Sequence, residues 1–84
     1  MGSVHSVLTI KDYGHIHLKL KEIMDERGMN RYSLSKVSGT RFEVINKWYQ
    51  GDVERIDLDI LARICYVLDC SIDDILVYEK GSGE

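Results

Sequence analysis

The stretch GTRFEVINKWYQGD, residues 39–52, gathers Arg41, Asn46 and Lys47 with Phe42, Glu43 and Gln50 interleaved. Guanidinium, ammonium and carboxamide groups suit recognition of an anionic or polar partner outside the domain rather than covalent chemistry. The other residues with chemical potential are His15 and His17, which flank Ile16, and the cysteines Cys65 and Cys70. A metal site among them is conceivable. Cys65, however, falls on the apolar face of an expected helix and Cys70 just beyond its end, so packing as reduced thiols is expected, with no metal. The histidines read as surface residues at a helix start. No Ser-His-Asp set, phosphate-cradling glycine loop or paired acids in a cleft is visible, so neither an enzyme nor a cofactor is expected.

The recognition residues need a scaffold, and the apolar spacing supplies helices. IHLKLKEIMDERG, residues 16–28, places Ile16, Leu20, Ile23, Met24 and Arg27 on one stripe and stops at Gly28. Asn30 is placed to cap a second helix, RYSLSKVS, with Leu34 and Val37 inward and Gly39 at its end. Thr40 and Glu43 have the spacing of a capping box for a third helix, anchored by Ile45, Trp48 and Tyr49 and closed by Gly51. Asp57 then caps LDILARICYVLD, whose inner face would be Leu58, Leu61, Ile64, Cys65 and Leu68. Ser71 and Asp74 form a second capping box for a last helix, IDDILVYE. The expected fold class is all-α, with five helices over residues 16–78. Residues 1–15 read as an arm or tag remnant, and 79–84 as a flexible tail.

Eighty-four residues with 44% apolar and 30% charged content suit one soluble domain with a modest core. No apolar run is long enough to cross a bilayer and no signal core opens the chain, so a cytoplasmic protein without a membrane partner is expected. The net charge of −3 argues against nucleic acid, but it is unevenly spread. Residues 1–26 carry −1, residues 27–50 carry +4 and residues 51–84 carry −6. The middle third is a basic island, with Arg31 and Arg41 at the starts of two successive helices, where side chains and free backbone amides can meet phosphates.

Two short helices joined by a glycine-containing turn, the second with one apolar and one polar face, match a helix-turn-helix unit. GMNRYSLSKVSGTRFEVINKWYQGD, followed by IDLDILARICYVLDCSIDDIL, resembles the lambda-repressor and Cro-like (Xre-type) helix-turn-helix family. Gly28, Leu34, Gly39, Ile45 and Gly51 keep the family register without gaps. The resemblance implies a transcriptional regulator that reads double-stranded DNA with residues 41–50. It would set Phe42, Glu43, Asn46 and Lys47 against base edges and Arg31, Arg41 and Gln50 on phosphates, with Arg55 suited to a further phosphate. Lys47 matches guanine O6 and N7, Asn46 is of the type that pairs with adenine, and Phe42 fits a thymine methyl group.

Each assignment has a plainer rival. Lys47 and Asn46 could solvate an exposed helix face, Arg31 and Arg41 could be ordinary surface charges, Glu43 could serve only as a cap, and Phe42 could pack at the core edge. The chain also departs from the family. Met24 and Tyr49 stand where relatives often hold an ion pair, and Asp52 and Glu54 would repel phosphate in the loop after the third helix. A weakly binding monomer is therefore expected. Ile72, Ile75, Leu76, Val77 and Tyr78 of the last helix, with Ile60, Tyr66 and Val67 outside the fourth helix's main stripe, are more than one small helix buries within its own subunit, which points to a homodimer that sets two reading helices one DNA turn apart; packing of the last helix within its own subunit is the alternative. The alternative function is a protein-interaction module of the same fold, docking on a partner regulator through its acidic second half.

Overall fold

The computed structural model describes residues 12–82. Five helices run in order: α1 (Leu20–Arg27), α2 (Arg31–Ser38), α3 (Phe42–Gln50), α4 (Leu58–Leu68) and α5 (Ile72–Ile75). The fold is mostly helical, as expected, with an addition. Strand β1 (His15–Leu18) precedes α1, strand β2 (Leu76–Glu79) follows α5, and the two pair antiparallel with His15 opposite Glu79 and Leu18 opposite Leu76. Most of the expected N-terminal arm, residues 1–11, lies outside the described residues, as do the last two residues of the expected tail.

The sheet corrects both ends of the helical reading. Residues 16–18 are extended rather than helical, and Ile16, assigned to the first helix's inner stripe, is 60% exposed. His15 and His17 are surface residues, but on a strand. Lys19 donates its amide to the Ile75 carbonyl at 2.7 Å, which ties the strand-to-helix junction to α5. The last helix makes one turn and opens at Leu76 (φ −111°, ψ 125°), where Val77 and Tyr78, both strand-favouring types, begin the ladder. Two short strands are marginal alone. Here Leu18 and Leu76 pack on the helical core and hold them.

A tight closure finishes the open end of the sheet. Tyr78 Oη donates to the Tyr13 carbonyl at 2.6 Å, and the Asp12 carboxylate accepts from the amides of Gly14 (3.2 Å) and Ser82 (2.9 Å). Those bonds, the Ser82 amide first, hold the Asp12 carboxyl below the usual carboxylate range. Gly14 has φ +87°, and a β-carbon there would sit 2.2 Å from the Glu79 carbonyl oxygen. Gly14→Ala should therefore open this end of the sheet and lower stability by more than the ~1 kcal/mol of an ordinary glycine-conformation penalty. Urea denaturation against wild type measures it, and an unchanged midpoint would show that the closure contributes nothing.

The core is built from Leu20, Ile23 and Met24 of α1, Leu34 of α2, Ile45 and Trp48 of α3, Leu61, Ile64 and Leu68 of α4, and Ile75 of α5. Two inward assignments do not hold. Val37 is 64% exposed because α2 turns Leu34 and Ser38 to the core instead, the Ser38 hydroxyl donating to the Leu34 carbonyl at 2.6 Å. Leu58 is 76% exposed: it starts α4, one turn outside the layer filled by Leu61, Ile64 and Leu68. Asn30 and Asp57 cap α2 and α4 as expected, and Ser71 and Asp74 form their capping box. The Ser71 amide holds the Asp74 carboxyl below its usual range. Cys65 and Cys70 are free thiols, and burial, the main cause, pushes Cys70 up to about 11, which suits a packed thiol rather than a reactive one.

Candidate nucleic-acid interface

The turn between α2 and α3 sets the exposed face of the second helix. Gly39 ends α2 at φ +66°, Thr40 donates its amide to the Ser35 carbonyl at 3.1 Å, and the Ser35 hydroxyl donates to the Thr40 carbonyl at 2.5 Å. These bonds draw the Thr40 side chain into the core, 7% exposed, with its hydroxyl oxygen unpaired. The N-cap of α3 is therefore Arg41, which makes no side-chain cap bond. The expected Thr40–Glu43 capping box does not form, because the turn sets Thr40 one position too early. Glu43 is left in the first turn with its carboxylate exposed, near the positive end of the helix.

Ile45 and Trp48 fasten α3 to the core, and the helix presents Arg41, Phe42, Glu43, Lys47 and Gln50 to solvent. Phe42 is 43% exposed at the first position of α3, so it stands at the rim of this face rather than inside. Among the described residues, Arg41, Lys47 and Arg55 make no ion pair. Lys47 and Arg55 line one hollow with Val44, Trp48, Asp52, Val53 and Glu54, so the acids that follow α3 share their space.

Arg31 and Asn46 meet. Arg31 Nη1 donates to Asn46 Oδ1 at 2.6 Å, and the guanidinium lies over the Tyr49 ring at 4.5 Å from its centre. Bidentate pairing of an asparagine with adenine uses both its carbonyl and its NH2 group. The Arg31 bond takes one lone pair of that carbonyl oxygen and orients the side chain, and the NH2 group stays available to donate. Met24 and Tyr49, the apolar replacements at the family's ion-pair positions, border the same hollow as Arg31, and the Tyr49 ring gives the arginine a platform.

Not every cation of the basic island faces outward. Arg27 donates Nε to the Leu68 carbonyl at 2.8 Å and Nη2 to the Asp69 carbonyl at 3.3 Å, joining the end of α1 to the end of α4. Lys36 lies over the Tyr32 ring at 5.0 Å. The sequence reading missed Arg63. It pairs with Asp59 at 2.8 Å and donates to the Gly39 carbonyl at 3.2 Å, so α4 braces the turn before α3. The Asp59–Arg63 spacing of four residues was the available signal.

Two short helices at a glycine turn, the second held by two buried residues and carrying an outward row of polar side chains, define a helix-turn-helix domain. The family model of the Cro/C1-type helix-turn-helix DNA-binding domain matches residues 19–81, and the chain belongs to that family. No curated protein sequence matches it. Among solved structures, the fold is similar to that of a candidate DNA-binding protein from Bacteroides fragilis, with a TM-score of 0.67 at 16% identity, covering 75% of this chain and 100% of that one. It is similar also to the transcriptional regulator VanUg, with a TM-score of 0.64 at 22% identity, covering 90% of this chain and 99% of that one. Among the described residues, no helix is long and apolar enough to cross a membrane.

Proposed function

We propose that the chain is a sequence-specific regulator of transcription that lays α3 in the major groove of double-stranded DNA. The observation that carries this reading is the outer face of α3: Arg41, Glu43 and Lys47 are exposed there, and among the described residues no side chain pairs with them. Lys47 donates to guanine, Glu43, released from capping, accepts from cytosine N4, and Phe42 lies on a thymine methyl group. Asn46 contributes its NH2 group while Arg31 holds its carbonyl. Arg31, Arg41, Gln50 and Arg55 sit on phosphates and fix register. A homodimer strengthens the weak contacts of one domain and sets the half-site spacing.

Selection of bound sequences from a random duplex pool tests the reading and reports that spacing. A recovered consensus with binding that falls steeply as salt rises is the expected result. The charge of −6 beyond residue 50 favours the second reading, a module that docks on a partner regulator. Failure to retard any duplex at low salt, with a partner regulator co-purifying, would replace the first reading by the second.

A further inference from the structure

We propose that His15, His17 and Glu79 form a site for one divalent transition-metal ion of the zinc or nickel type on the exposed face of the two-stranded sheet. The ladder places His15 directly opposite Glu79, and His17, two residues on, shares the face of His15 because side chains alternate along a strand. One ligand atom from each of the three lies within 4.8 Å of the others. Two ligands about 2.1 Å from a shared ion stand at most about 4.2 Å apart, so closing on an ion draws the three side chains slightly inward.

The donor set selects the ion. Two imidazoles with one carboxylate suit zinc, nickel, cobalt or copper, whereas calcium and magnesium take oxygen ligands. Cross-strand pairing explains two of the residues without an ion, since His15 Nε2 already lies 3.0 Å from Glu79 Oε1. It does not explain His17, which lies opposite Val77. Glu22 Oε2 stands 3.5 Å from His17 Nε2, so a further carboxylate flanks the triad. The closure through Asp12, Tyr13 and Tyr78 fixes the strand ends on which the ligands stand. An ion there fastens the strand before α1 to the strand after α5. The helix α3 is held mainly by α2 and α1 rather than by the sheet.

Isothermal titration of the full chain, free of any affinity tag, with Zn²⁺ and Ni²⁺ tests the site. The expected result is one ion per chain and a rise in Tm with ion concentration. His17→Gln, which leaves the His15–Glu79 pair in place, and Glu79→Gln should each weaken binding at least about tenfold with wild-type circular dichroism. Cys65→Ser/Cys70→Ser should bind as wild type, and the Co²⁺ complex should lack a thiolate charge-transfer band. Failure of the chain to take up either ion saturably, undiminished uptake by His17→Gln, or a cobalt–sulfur band would each overturn the proposal.

Discussion

Trp48→Ala should remove about 3–5 kcal/mol of stability. The indole is 4% exposed, joins the core with Ile45 and Ile64, and is one of the two buried anchors of α3. A domain of this size has roughly 5–10 kcal/mol in all, so the variant should unfold over much of the accessible temperature range. Since Trp48 is the chain's sole tryptophan, far-UV circular dichroism in urea is the readout. Leu58→Ala is the control, because a side chain 76% exposed should change stability by no more than about 0.5 kcal/mol. Equal midpoints for the two variants would mean that α3 is not held by its inner face.

The contrast between Trp48 and Leu58 shows where the sequence is informative. A hydrophobic period marks both residues as inward, but burial depends on where the neighbouring helix ends, and only the packed structure supplies that. Caps and stops were legible because their chemistry is local: Asn30, Asp57 and the Ser71–Asp74 pair act within three residues, and Gly28, Gly39 and Gly51 end their helices by themselves. Thr40 has the same local signature as Ser71 and fails as a cap. The difference is tertiary, since the turn closed by Ser35 and braced by Arg63 pulls Thr40 inward.

The strands were harder for a related reason. Ile16, Leu18 and Leu20 alternate with His17, Lys19 and Lys21, so a strand period was present, but it overlaps the start of the first helix's stripe. The deciding partner, Leu76 to Glu79, lies about sixty residues away. The candidate face was legible in kind, since the basic island and the polar side of α3 were both visible. What the sequence could not show is which charges are already engaged. Arg27 is held by carbonyls at the end of α4 and Arg31 by Asn46 and Tyr49, so among the described residues Arg41 and Lys47 are the cations of α3 and its N-cap that make no ion pair.

Under the proposed reading, that division predicts different losses at Lys47 and Arg31. Lys47→Ala should cost about 1–3 kcal/mol at the selected operator, relax specificity at one base pair and leave binding to unrelated duplexes nearly intact. Arg31→Ala should weaken binding to unrelated duplexes as well as to the operator and reduce the salt slope by about 1, the signature of a lost phosphate contact. Because Arg31 also orients the Asn46 side chain through the 2.6 Å bond to its carbonyl, the two residues should not act independently. A double-mutant cycle between Arg31→Ala and Asn46→Ala should therefore show a coupling of at least about 0.5 kcal/mol, whereas Arg31 and Lys47, with no bond between them, should add. Fluorescence anisotropy on matched and mismatched duplexes at several salt concentrations gives every leg of the cycle. Additive losses for Arg31 and Asn46 would detach the arginine from base reading and leave it a phosphate contact alone.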